Sequence, residues 1–86
     1  MNILVRIDWL DHRSVGDDWE AVGTVAAMRP LLVHSVGWLL FEDENCVTLV
    51  PTWYAIAGEE DTTHGSICIV KQCIVTREKL KETKNE

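Results

Sequence analysis

The sequence predicts a mainly β fold: a small five-stranded barrel with one short helix inserted between strands 1 and 2. Three observations support this prediction. Apolar and polar residues alternate over short stretches, as in half-buried strands. Turn-forming residues separate these stretches, and 86 residues leave room for one domain only. We assign residues 1–76 to that domain and residues 77–86 to a charged tail that we expect to fray or to be disordered.

The first strand is predicted from a clean alternation near the N-terminus. Ile3, Val5, Ile7 and Trp9 share one face, while the residues between them are mostly polar. A period of two over this length indicates a strand with one buried face.

The inserted helix is predicted from a capping pattern. Asp17 stands three residues before Glu20, as in a capping box, and Trp19 and Val22 begin a helical spacing. Pro30 ends the segment. An extended loop pinned by Trp19 is the alternative.

The next two strands form a central hairpin. Residues 31–41 are apolar on both alternating faces, and Gly37 is where a bend or a close backbone approach costs least. A polar turn at residues 42–45 leads into a strand at residues 46–50, and Pro51 stops the ladder there.

The second half of the chain is predicted as a loop and two short strands. Residues 58–65 are polar and bracketed by glycines, which indicates a mobile, solvated loop. Strands follow at residues 66–70 and 73–76, on either side of Lys71-Gln72.

The charge balance limits the possible partners. The net charge is −6, and because residues 77–86 carry four basic and three acidic side chains, residues 1–76 carry −7. Such a body repels phosphate backbones, so we expect no duplex DNA and no anionic membrane as partner. The N-terminus resembles no signal peptide and no apolar run is long enough for a span, so we expect a cytoplasmic protein.

The cysteines and the acidic residues suggest no established site. Cys46, Cys68 and Cys73 are an odd number of thiols, which favours reduced, buried cysteines over a disulfide framework. We expect no catalytic residue, no metal and no cofactor. A metal-dependent enzyme is the least favoured alternative, and its candidate residues are Asp8, Asp11, His12, Asp61 and His64.

The central hairpin resembles the Sm-like proteins, which include the Sm, LSm and bacterial host-factor RNA-binding rings. Their Gly-x-Leu and Asp pattern falls on Gly37, Leu39 and Asp43, and residues 65–75 are similar to the second motif, with a short strand, a tight turn and a short strand. The resemblance implies an Sm-like or SH3-like barrel, assembly into a ring and RNA binding. The chain departs from the family pattern at two places. It has Cys46-Val47 where the family has Met-Asn, and Val70-Lys71 where the family has Arg-Gly.

The chain also resembles small uncharacterised phage and prophage proteins. The similarity lies in the stretch at residues 35–39, the acidic turn and the closing Ile-x-Ile and Cys-Ile-Val. This resemblance spans nearly the whole chain and implies a phage origin without an activity.

The leading functional hypothesis is therefore a non-catalytic, oligomeric binding module that holds single-stranded RNA or a nucleotide. Aromatic faces stack on unpaired bases, and Trp53 with Tyr54 is the pair expected to be exposed. The candidate ligand-binding residues are Asp43, Asn45, Lys71, Trp53, Tyr54 and Arg29. The alternative is a protein-interaction module that presents the acidic residues 42–44 and 59–61 to a host protein.

Homo-oligomerisation is expected because 47% of the residues are hydrophobic, four of them tryptophan, in a chain too small to bury them all. We place the interface on the last two strands, whose edges would otherwise be unpaired. The candidate interface residues are Ile67, Ile69, Val70, Cys73, Ile74 and Val75. Trp9, Trp19 and Trp38 are predicted to pack in the core or the interface, and His34 to be a satisfied core or interface histidine.

Overall fold

The computed structural model describes residues 3–14 and 16–81. It is mainly β, with 53% of the residues in strands, as the sequence predicts. The elements are β1 (Leu4–Asp11), α1 (Val22–Ala26), β2 (Leu31–Glu42), β3 (Cys46–Val50), β4 (Thr52–Tyr54), β5 (Thr62–His64), β6 (Ile67–Val70), a 3-10 turn (Lys71–Cys73) and β7 (Ile74–Lys79).

The main sheet has five antiparallel strands in the order β6-β3-β2-β1-β7. β1, β2 and β3 form a meander at its centre, and β6 and β7 lie at its two opposite edges. Because a three-residue 3-10 turn joins β6 directly to β7, the two edges come together at that end and the sheet must curl. Within residues 3–14 and 16–81, no backbone pairing between β6 and β7 closes the sheet into a barrel.

A second, two-stranded sheet lies between β3 and β6 in the chain. β4 pairs with β5 in antiparallel fashion, so the segment predicted as a mobile loop, residues 58–65, contains one strand of a short hairpin. Pro51 separates β3 from β4, as predicted. Gly58 and Gly65, which bracket the predicted loop, have φ angles of 84° and 73°, the left-handed region that glycine reaches without strain.

The core is small and lies on one face of the main sheet. Val5 and Ile7, which the alternation placed on one face, are almost fully buried, and Trp9 packs against them from the same strand. The buried cluster consists of Val5, Ile7, Val47, Leu49 and Ile69. We call the face that carries this cluster the inner face and the opposite face the outer face.

Gly37 is buried where β2 approaches β3. A Cβ atom on this glycine would lie 3.0 Å from the carbonyl carbon and oxygen of Val50. This distance confirms the predicted close backbone approach, because a side chain at this position would require the backbone of Val50 to shift.

Two register shifts interrupt the ladders. In β2, Leu39 pairs with Leu49 and Phe41 with Thr48, so Leu40 is an additional residue. In β7, Thr76 pairs with Asp8 and Ile74 with Trp9, so no residue of β1 stands opposite Val75. An inserted residue bends a strand and exchanges the faces beyond it. The register shift in β2 therefore lies at Leu40, whereas Gly37 lies at the close approach to β3.

The helix is shorter than predicted and differently placed. It begins after Ala21, and no side chain caps it, so the predicted capping box at Asp17 and Glu20 is wrong. None of its residues is buried. Gly23, Thr24 and Val25 are poor helix formers, which explains why the helix stops after five residues.

The last strand extends beyond the predicted boundary. β7 continues to Lys79, and the Leu80 N–H donates to the Leu4 carbonyl, so residues 77–79 belong to the sheet and not to the tail. The ladder with β1 favours this extension. The remainder of the predicted tail, residues 82–86, lies outside the described residues. No helix in the described part of the chain is long and apolar enough to cross a membrane.

Candidate functional site

A row of polar side chains crosses the outer face of the main sheet at Asp8. In the register, Asp8 stands opposite His34 of β2 on one side and Thr76 of β7 on the other. His34 Nδ1 lies 2.6 Å from Asp8 Oδ1, and the Thr76 hydroxyl donates to Asp8 Oδ2. Arg6 Nε lies 3.5 Å from Oδ1 and also reaches Glu78 through a second nitrogen. Although Asp8 is only 9% exposed, its carboxylate is fully partnered.

These partners hold the carboxylate in its charged form. The Thr76 hydrogen bond, followed by the His34 hydrogen bond, lowers the pKa of Asp8. Because a carboxylate can only accept, His34 Nδ1 carries the proton of this bond. The imidazole is mostly exposed.

An Asp–His pair can orient an imidazole as a general base, whose other ring nitrogen takes the proton of a nucleophile or of a water. Here the Thr76 hydroxyl is bonded to the carboxylate instead of to His34. The nearest serine in sequence, Ser35, accepts a hydrogen bond of 3.0 Å from the Trp9 indole. The row therefore ties three strands together. His34, predicted as a core or interface histidine, is largely exposed at one end of it.

A second cluster joins strands that are not neighbours in the sheet. Glu42, at the end of β2, accepts two hydrogen bonds of 2.9 and 2.8 Å from the guanidinium of Arg77 in β7, and Lys71 Nζ lies 2.8 Å away. We call this set the Glu42 cluster. The Arg77 hydrogen bonds, followed by that of Lys71, lower the pKa of Glu42 to about 2.

The bulge at Leu40 explains why Glu42 is available for this cluster. Glu42 stands opposite the buried Val47, and Arg77 stands opposite the buried Ile7, so both belong to the inner face. Without the additional residue, alternation would place Glu42 on the outer face. The cluster thus connects the two ends of the curled sheet through side chains.

The turn between β2 and β3 is organised by Asp43. Its Oδ1 accepts the N–H groups of Asn45 and Cys46, both at 2.8 Å, and these bonds lower its pKa. The Asn45 carbonyl accepts the Lys71 N–H at 2.8 Å. Two predicted ligand residues, Asp43 and Asn45, therefore hold the turn against the 3-10 turn.

Two of the three cysteines lie close together on neighbouring strands. Cys46 and Cys68 lie diagonally across β3 and β6, and a hydrogen bond between their side chains is the main reason why the pKa of the Cys46 thiol is raised to about 11. All three thiols are free, as predicted, but Cys68 is exposed and not buried. The strand register was the missing information, because residues 46 and 68 are distant in the sequence.

The remaining predicted ligand residues lie apart from one another. Arg29 donates to the carbonyls of Ala26 and Met28 at the end of α1. Trp53 in β4 donates to Asp61 at 2.9 Å, and Tyr54 is exposed beside it. The six candidates are thus divided among the turn region, the second sheet and the helix end.

The acidic and histidine residues considered for an enzyme are also dispersed. His12 lies beside Asp11 at 3.2 Å, Asp61 is bonded to Trp53, and His64 is in β5. In the part of the chain that the structure describes, no group of three or more His, Cys, Asp or Glu side chains is arranged to hold a metal ion.

The predicted interface residues lie on the two edge strands and the turn between them. Val70 and Val75 are exposed, whereas Ile69 belongs to the core of its own chain. Ile67, Cys73 and Ile74 are half-buried. Each edge strand is paired on one side only in the described sheet.

The most unusual property of the surface is its hydrophobic content. Trp9, Trp38 and Trp53 are half-buried, but Trp19 is fully exposed, so of the two predicted positions for Trp19, the core of its own chain is wrong and an interface stays a prediction. Fourteen large hydrophobic side chains are exposed among the described residues: Ile3, Leu10, Trp19, Val22, Val25, Leu31, Leu32, Val36, Leu40, Phe41, Tyr54, Ile56, Val70 and Val75.

No family model, curated protein or solved structure matches the chain.

Proposed function

We propose that this chain is a non-catalytic, Sm-like binding module that assembles with copies of itself through the edges of its main sheet. The main observation in support is that fourteen large hydrophobic side chains are exposed among the described residues, while only six hydrophobic residues are buried. Exposed apolar surface of this extent is typical of protein contact surfaces.

The edge strands supply the geometry for such an assembly. β6 and β7 each have one unpaired side, and each carries an exposed valine, Val70 or Val75. If the edge of β6 pairs with the edge of β7 in a neighbour, the contact is heterologous and can close into a ring. The short strand, tight turn and short strand of this region also support the resemblance to the Sm-like proteins.

Protein is a better partner than RNA for this surface. Lys71 and Arg77 share the single carboxylate of Glu42, which cancels one of their two positive charges, Arg29 is bonded to backbone carbonyls, and the net charge is −6. RNA affinity depends on available cations, and few remain. Neutralisation of Glu42 also reduces the acidic surface offered to a basic host protein, which leaves apolar contacts as the main attraction.

The test is the oligomeric state of a variant with two lysines on the edges, Val70→Lys with Val75→Lys. Lysine on an edge strand opposes further strand pairing. We expect light scattering to show an oligomer for the natural chain and a monomer for the variant. As a matched control, Ile56→Lys with Thr62→Lys adds the same charge to the second sheet and should leave the oligomer intact.

A natural chain that is monomeric at micromolar concentration would refute the proposal. Fluorescence polarisation with labelled oligouridine and oligoadenine at low salt distinguishes the nucleic-acid alternative. We expect no binding, and binding that weakens as salt is added would favour RNA as the ligand.

A further inference from the structure

Two of the three thiols lie side by side on the outer face, next to one edge of the main sheet. Cys68 in β6 stands opposite Thr48, which is two residues along β3 from Cys46, so the two cysteines are diagonal neighbours. Val47 and Ile69 lie between them and are buried on the inner face, so alternation places both thiols on the outer face. Cys68 is exposed and Cys46 is half-buried, so solutes can reach both. We call Cys46 and Cys68 the thiol pair.

The spacing of the thiol pair is too long for a disulfide bond unless the backbone moves. Diagonal neighbours on antiparallel strands are about 7–8 Å apart, whereas the Cα atoms of a disulfide are usually about 4.4–6.8 Å apart. The two side chains share a hydrogen bond instead, and both thiols are free. A metal ion between the sulfurs would take the place of the shared proton. It would add two metal–sulfur bonds of about 2.3 Å each, which suits the longer diagonal.

The number of available ligands selects the kind of ion. In the part of the chain that the structure describes, no set of three or more His, Cys, Asp or Glu side chains is arranged around a metal position, so the thiol pair stands alone. Structural zinc sites use four protein ligands. Soft thiolate ligands select Cu(I), and this monovalent ion is stable with two ligands. The thiol pair therefore fits Cu(I) better than it fits zinc.

The charges around the thiol pair also favour a cation. Neither β3 nor β6 contains a charged residue, so no cationic side chain of these strands competes with the ion. Lys71, which follows β6, extends to Glu42 on the inner face. Asp43 is held beside the pair, because its carboxylate accepts the Cys46 N–H at 2.8 Å. Metal binding removes the thiol protons, and the negative charge that this creates is offset by the ion.

We propose that Cys46 and Cys68 form a binding site for one soft monovalent metal ion, Cu(I), in each chain. The two sulfurs are its protein ligands, and the bound ion ties the edge strand β6 to β3. The site lies within one chain, so the proposal does not depend on the self-assembly proposed above.

The test is a competition for Cu(I) between the reduced, full-length chain and a coloured chelator, bathocuproine disulfonate, without oxygen. We expect the natural chain to remove one equivalent of Cu(I) from the chelator. Cys46→Ser and Cys68→Ser should each lower the affinity at least about 100-fold, since the loss of a mere outer-shell partner already costs about 10–100-fold. Cys73→Ser is the matched control, because it removes a thiol outside the pair, and it should bind as the natural chain does.

Alkylation of the natural chain gives a second measurement that does not depend on the folding of a variant. One equivalent of Cu(I) should protect Cys46 and Cys68 from iodoacetamide, while the rate at Cys73 stays unchanged in peptide mass spectrometry. Failure of the natural chain to compete with the chelator would overturn the proposal. So would equal loss of affinity in Cys73→Ser, equal protection of all three thiols, or one ion for every two chains.

Discussion

Single residues in this chain are constrained by backbone contacts as much as by side-chain packing. Gly37 is the clearest case, because the main chain of Val50 occupies the space of any Cβ atom. Asp8 is the second case, since its partners on both neighbouring strands fix the registers of β2 and β7 relative to β1.

Gly37→Ala should destabilise the fold by about 1–3 kcal/mol, because the added methyl group overpacks against an inflexible backbone. The free energy of unfolding from urea denaturation measures this effect. Gly23→Ala is the matched control, since nothing lies within 4 Å of its Cβ position, and alanine favours a helix. Equal stability of the Gly37→Ala variant and the natural chain would contradict the close approach.

The sequence allows prediction of residue properties where they depend on local pattern. The buried face of β1 and the glycine at the close approach could be read from alternation and residue type. The partners of Asp8 and Glu42 could not, because both depend on strand register and on one bulge. Nor could the sequence show that Trp19 is exposed, since an apolar residue at helical spacing predicts burial when a packing partner is assumed.

At the scale of elements, the Glu42 cluster replaces backbone pairing where the sheet curls. β2 and β7 are separated by β1 in the sheet, yet their side chains meet through Glu42 and Arg77. The predicted strands were correct in number and order for the main sheet. The small β4–β5 hairpin was missed because its strands are three residues long and β5 is polar.

Acid should weaken this cluster within a defined pH range. Since the pKa of Glu42 in the folded chain, about 2, lies below the ordinary glutamate pKa of 4.5, its contribution to stability is present above about pH 4.5 and is lost as the pH falls toward 2. Glu42→Gln should therefore reduce the dependence of the unfolding free energy on pH between these values. Asp8 and Asp43, whose pKa values are also lowered, should preserve part of it.

Urea denaturation at several pH values measures this dependence. Glu59→Gln is the control, because Glu59 forms no ion pair within the described residues and should leave the dependence unchanged. If the Glu42→Gln variant and the natural chain lost stability in parallel on acidification, the cluster would have no energetic role.

At the scale of the whole molecule, the described residues include more exposed large hydrophobic side chains than fully buried ones. A domain of 86 residues has little stability to spare, since a small body buries a small fraction of its surface. Assembly would add burial that the single copy lacks. The composition predicted that one copy cannot bury all of its apolar residues, but their location, between β1 and β2, on the faces of the strands and at the sheet edges, required the strand pairing.

Assembly of this kind predicts that thermal stability depends on protein concentration. A ligand that binds only the folded state raises its stability by mass action, and here the ligand is another copy. The Tm in calorimetry should rise as the concentration of the natural chain increases. For the Val70→Lys, Val75→Lys variant the Tm should be independent of concentration, and a constant Tm for both chains would contradict assembly.

The bulge at Leu40 has a consequence for how this sheet tolerates changes in length. Substitution of Leu40 alters one exposed side chain. Its deletion would change the parity of β2, turning Phe41 inward and Glu42 outward, and would leave Arg77 and Lys71 without their shared carboxylate. The segment between β1 and β2, residues 12–30, imposes no such parity, because Asp11 and Leu31 pair at its two ends whatever number of residues lies between them. Insertions and deletions are therefore compatible with this fold in that segment but not in the strand that follows it.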